Sequence, residues 1–196
     1  MRRGWVVLVV VGLLLGGCVG DGGSGGGGPE APVAPSATPT SVPWPPRPRD
    51  LPIDGVDPCS LLTPAQRAEF GLRESAEPSV GYTEIYGTVT SCTVSGFEPR
   101  DIAVTIFAVT TTGIERWTQR EMDSDIRRIE VHGFPALVAV PRRYTDFCTV
   151  VIDLAPGQLI DVQFGDSGEI PPIPQQELCR DAERVANYVI GNLLSR

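Results

Sequence analysis

Gly165-Asp166-Ser167-Gly168 sets a serine hydroxyl between two glycines and beside a carboxylate, the local chemistry of an acyl-transfer nucleophile. A serine of that kind needs a base to take its proton and amides to hold the oxyanion. The chain has 1 histidine, His132, and it stands in His132-Gly133-Phe134-Pro135, a turn sequence. Glu169 follows the motif and would place negative charge where the oxyanion must form. Asp166 and Gly168 therefore read as turn formers ahead of Pro171-Pro172. No catalytic residue is expected. Glu121, Asp123 and Asp125 form an acidic cluster, but without the regular ligand spacing and glycine of a calcium loop. Neither a metal nor a cofactor is expected. Arg127-Arg128 and Arg142-Arg143 flank one turn. Together they could clamp an anionic ligand; read plainly, they are exposed strand ends balancing nearby acids.

The remaining chemistry is carried by thiols. Cys18 closes Leu15-Gly16-Gly17-Cys18, which follows a short positive start (Arg2, Arg3) and the apolar run Trp5 to Leu15. That run falls short of the roughly 20 apolar residues a membrane-spanning helix needs, and it has the form of a secretory signal. The tetrapeptide resembles the bacterial lipobox, in which small residues fit the peptidase groove and the cysteine thiol accepts diacylglycerol. Residues 1–17 are thus expected to be a cleaved leader and Cys18 the lipidated first residue. The result is a protein anchored on the outer side of a cell membrane.

Cys59, Cys92, Cys148 and Cys179 are an even set in an exported chain, which points to two disulfides. No pair has the C-x-x-C spacing of a zinc site. Three pairings are open, and local pattern favours one. Alternation puts Cys148, Val150, Ile152 and Leu154 on one strand face, while Cys179 shares a helical stripe with Ala182, Val185 and Val189. Two apolar surfaces pack together, so Cys148 meets Cys179. Cys59, just ahead of Leu62, is left to Cys92, which shares a strand face with Val94.

The elements that would position these residues are legible in outline. Residues 18–56 read as a linker, Gly-rich at first and then Pro-rich, with a reach on the order of 80 Å. Residues 57–196 read as one globular domain. Asp57-Pro58 and Thr63-Pro64 look like helix starts, and Gly71 a stop. Strands are expected near 81–86, 89–96, 101–110, 126–132, 136–141, 146–154 and 158–164. Helices are expected over 112–122 and 175–194. This order predicts an α+β domain, an antiparallel sheet of six or seven strands covered by two or three helices.

Losing Arg2 and Arg3 with the leader takes the formal charge from −8 to −10, and there is no lysine. Nucleic acid is not an expected partner. The stretch from Asp57 to Gln66, a second cysteine on an early strand, Val131-His132-Gly133-Phe134-Pro135-Ala136, and the settings of Cys148 and Cys179 resemble one family. It is the actinobacterial lipoproteins grouped as domain of unknown function 3558 (DUF3558). The resemblance implies a lipoprotein with two disulfides and a PsbP-like α/β sandwich, and it brings no known activity. A non-catalytic domain that binds a partner protein or small ligand at the cell envelope is therefore expected. The alternative is an envelope hydrolase with an unrecognised active site.

Overall fold

The computed structural model describes residues 43–118 and 122–196. Seven strands form one sheet: β1 (Pro78–Thr83), β2 (Gly87–Gly96), β3 (Ile102–Val109), β4 (Ser124–Val131), β5 (Phe134–Pro141), β6 (Phe147–Ala155) and β7 (Gln158–Asp166). Their order is β1-β2-β3-β7-β6-β5-β4, and every neighbouring pair is antiparallel. Among the described residues three helices accompany it: α1 (Pro64–Glu69), α2 (Glu115–Thr118) and α3 (Gln175–Leu194). The expected α+β class holds.

Tight turns fix the register. His132 and Gly133 have φ of 50° and 79°, the two left-handed residues of a type I′ hairpin turn, so Phe134 and Pro135 belong to β5 and not to the turn. β1 lies at 78–83, ahead of the 81–86 expected, because Thr83 Oγ1 accepts from the Tyr86 amide and closes the β1–β2 turn. At the start of α1, Thr63 and Gln66 exchange the paired hydrogen bonds of a capping box, with Pro64 in the first turn.

One sheet face packs on α3, whose Leu178, Cys179, Ala182, Val185, Ala186, Val189 and Leu193 are buried as a stripe. Across from them lie Ile106, Val138, Cys148, Val150, Ile152, Val162 and Phe164. Both disulfides staple this layer: Cys148–Cys179 ties β6 to α3, and Cys59–Cys92 ties the 3-10 turn Pro58–Leu61 to β2.

The second face has its own core of Val89, Val109, Leu137, Ala139, Val151 and Leu159, covered by Tyr86, Ile114 and Trp117. Part of its cover corrects the linker expected over 18–56. Trp44 packs against this core, whereas further along the Leu51 amide donates to the Leu154 carbonyl at 2.7 Å and Ile53 is fully buried in the α3-side core. The Pro-rich stretch is therefore domain surface from Pro43 onward, because an indole, an Ile and a hydrogen bond to the end of β6 hold it there. Cys18 and the expected leader lie outside the described residues.

The Cys148–Cys179 bridge spans 31 residues and both cysteines are buried. Replacing both by alanine is expected to cost about 3 kcal/mol or more by the loop-entropy relation. Urea unfolding of the double variant beside the wild type measures it.

Candidate functional site

The serine motif closes β7 and leads into a loop that runs to α3. Asp166 Oδ1 accepts from the amides of Gly168 (2.8 Å) and Glu169 (2.7 Å), and Oδ2 from the amide of Ile173 (2.8 Å). Desolvation pushes the Asp166 carboxyl up, but these three amides outweigh it and hold the group below the usual carboxylate range. Glu169 accepts from the Asp101 amide at 2.6 Å. Ser167 is exposed. The motif is a loop brace.

His132 stands at the far end of the sheet. Gly165 pairs with Phe147 at the start of β6, whereas the β4–β5 turn lies beyond the Ala136–Ile152 pair, toward the end of β6. At about 3.3 Å per residue, the length of β6 puts Ser167 and His132 some 25 Å apart. His132 Nε2 lies 3.0 Å from the Asn187 carbonyl of α3 instead. No proton can pass between this serine and this histidine.

The four arginines are placed but not gathered. Arg127 and Arg128 are neighbours on β4 and so point to opposite faces. Arg127 pairs with Glu183 of α3 at 2.5 Å, while Arg128 lies 5.2 Å over the Trp44 ring and donates to the Pro43 carbonyl. Arg142 engages Asp125 at 2.6 Å, and Arg143 engages Asp123 at 2.7 Å. The single anion clamp expected of Arg127, Arg128, Arg142 and Arg143 is thus divided between two faces and a strand end. Asp123 and Asp125 of the acidic cluster are the partners of the last two arginines; Glu121 lies outside the described residues. No group of three or more His, Cys, Asp or Glu able to hold a metal occurs among the described residues.

Two depressions meet at Gln175, where α3 begins. One, of about 730 Å³, is lined by Asp146, Asp166, Ser167, Glu169 and Ile173 among others. Its neighbour, of about 440 Å³, is lined by Arg127, Val138, Val140, Cys179, Arg180 and Glu183. Gln175 fixes their shared wall, its Nε2 donating to the carbonyls of Pro141 (2.9 Å) and Tyr144 (3.1 Å).

A buried polar network on the second face was not anticipated. Asp161 of β7 has no solvent exposure. It accepts from Tyr86 Oη at 2.7 Å and from Thr149 Oγ1, and Trp117 Nε1 donates to Tyr86 Oη at 2.8 Å. Desolvation pushes the Asp161 carboxyl up to about 6, against the hydrogen bonds from Thr149, Tyr86 and Gln163. Burial, with the Asp161 charge, raises the Tyr86 phenol well above its usual value. Nearby Asp153 receives Arg47 through both carboxylate oxygens at 2.8 Å and Trp44 Nε1 at 3.3 Å. Its pKa is raised, chiefly by desolvation, which Arg47 only partly offsets. The available signal was an acid inside an apolar run, as in Val150-Val151-Ile152-Asp153-Leu154.

An antiparallel α+β domain with two disulfides stapling its α3 layer, and with its serine, histidine and arginines dispersed, defines a stapled sheet scaffold. The chain belongs to the family described as "Protein of unknown function (DUF3558)", which matches residues 13–192. No curated protein and no solved structure matches it.

The folded state binds the Asp161 proton more tightly than the unfolded chain. The stabilisation is therefore complete below about pH 4 and is lost as pH rises through about 6. Asp161→Asn removes this dependence. Its amide can donate to Thr149 Oγ1, which turns to the Val162 carbonyl 3.3 Å away, while its oxygen still accepts from Tyr86. Relative to wild type, the variant should gain on the order of 2–3 kcal/mol between pH 4 and pH 7 in urea unfolding.

Proposed function

We propose that this chain is a non-catalytic, lipid-anchored binding domain on the outer face of an actinobacterial cell membrane, built as a PsbP-like sandwich. Cys18, lipidated after loss of residues 1–17, holds it there. The domain receives a partner protein or small ligand in the depressions beside the start of α3. The separation of Ser167 from His132 by the length of the sheet carries this reading, because it dismantles the one nucleophile-and-base pair the sequence offers. Asp166 and Glu169, which line the larger depression, have carboxylate oxygens engaged by backbone amides, so they shape its wall. Two disulfides fit an oxidising compartment. Among the described residues, no helix is long and apolar enough to cross a membrane.

Two lipid chains bind a bilayer durably where one does so only reversibly, and a strongly acidic chain gains nothing from anionic headgroups. The full chain should therefore stay with membranes through high-salt washing and partition into detergent. Cys18→Ala should leave unprocessed precursor or a soluble domain. Membrane fractionation with intact-mass measurement checks this, and a correctly processed Cys18→Ala protein that stays on the membrane refutes the anchor.

Ser167→Ala, together with His132→Asn (a residue that accepts the left-handed φ), should change unfolding free energy by about 0.5 kcal/mol or less. Neither should alter any cellular phenotype of the wild-type chain. A stoichiometric fluorophosphonate adduct on Ser167 would instead establish a hydrolase.

A further inference from the structure

The sheet is open, and its two edges are treated differently. β4, at one end, carries Asp125, Arg127, Arg128 and Glu130, charges of the kind that blunt an edge against pairing. β1, at the other end, is Pro78-Ser79-Val80-Gly81-Tyr82-Thr83, without a formal charge, and among the described residues it pairs with β2 alone. Its Val80 and Tyr82 are 71 % and 78 % exposed. They alternate with Gly81 and so share one face, opposite Thr90 and Thr88 of β2.

We propose that two copies of this chain associate through β1, edge to edge and antiparallel, about a two-fold axis at Gly81. A two-fold perpendicular to the sheet is the operation that sets antiparallel edges side by side with matching faces. With the axis on Gly81, Val80 of each copy stands opposite Tyr82 of the other, so both exposed apolar side chains gain a cross-strand partner, twice over. Ser79 falls opposite Thr83, Glu84 opposite Pro78, and Glu77 opposite Ile85, so no like charges face one another. Moving the axis to Tyr82 would set Val80 against Glu84 and lose the match. β1 is also where two molecules of formal charge −8 can approach closely, because the contact strand itself is neutral. A strand this short makes a contact at the small, transient end, below about 1,200 Å², so association depends on concentration.

Gly81 supplies the test. It does not have a positive φ, and a Cβ added there meets nothing within 4 Å, so substitution leaves the monomer intact. In the proposed register, Gly81 faces its own copy with Cα atoms about 4.5–5.5 Å apart, within disulfide reach. Residue 79 lies four positions from its copy, about 13 Å away and out of reach. Under mild oxidation the full chain carrying Gly81→Cys should give a reducible homodimer at least tenfold more than Ser79→Cys. In sedimentation, Gly81→Asp, which sets two carboxylates face to face on the axis, should weaken wild-type self-association tenfold or more with an unchanged circular dichroism spectrum. Three results would each overturn the proposal: a wild-type chain that stays monomeric up to millimolar concentration, equal cross-linking at positions 79 and 81, or capture of a different protein by Cys at 81.

Discussion

The two central strands, β6 and β7, set the main constraint on this domain, because they are buried on both faces. Val150, Ile152, Val162 and Phe164 face α3, while Thr149, Val151, Leu159 and Asp161 face the other way and are equally closed to water. One twenty-residue helix cannot cover two faces. Apolar area gains about 25 cal/mol for each Å² removed from water, so an uncovered second face would forfeit a large share of the stabilisation. The chain solves this with pieces rather than a second long helix: α2, the β1–β2 turn, and the segment that enters the domain at Pro43.

Short pieces need fastening, and two aspartates on the central strands supply it. Asp161 on β7 holds Tyr86, and through it Trp117 of α2. Asp153 on β6 holds Trp44 and Arg47 of the entering segment. Each acid is the directional centre of an otherwise apolar layer, and each has its burial opposed by hydrogen bonds from the group it fastens. Burying a carboxylate is costly, and the raised Asp161 and Asp153 pKa values register that cost. What the acids provide is place: an indole or phenol can slide over leucines and valines, but not away from a hydrogen bond it must keep in a dry layer.

The α3 layer was legible in the sequence because alternation and helical period both point to it. Cys148, Val150 and Ile152 read as one face, Cys179, Ala182 and Val185 as one stripe, and from those two patterns the pairing Cys148–Cys179 followed. The second face was harder to see. A strand buried on both sides reads as a nearly unbroken apolar run, as in Ala136-Leu137-Val138-Ala139-Val140, and such a run says that a second cover exists without saying what it is. The cover came from Trp44, inside a stretch whose proline content suggests a spacer. A large indole in a spacer would have no partner, and with Leu51 and Ile53 it was a sign in the sequence that the domain starts before Asp57.

The same alternation explains why the chemical candidates did not assemble into a site. Adjacent residues on a strand diverge by half a turn, so Arg127-Arg128, a pair in the sequence, is divided in space between Glu183 on one face and Trp44 on the other. Residues in the turns at opposite ends of a nine-residue strand are separated by its full length, which parts Ser167 from His132. A chemical constellation on a sheet must be read across strands, through the register, and there the neighbours are of another kind. Thr93 of β2 faces Thr105 of β3 at 2.9 Å, Thr105 pairs with Gln163 of β7, and Gln163 with Thr149 of β6. That rank is neutral, three hydroxyls and one amide, and suited to bridging strands. Where strands end and helix α3 begins, by contrast, loops bring Asp146, Asp166 and Gln175 of different elements to one surface.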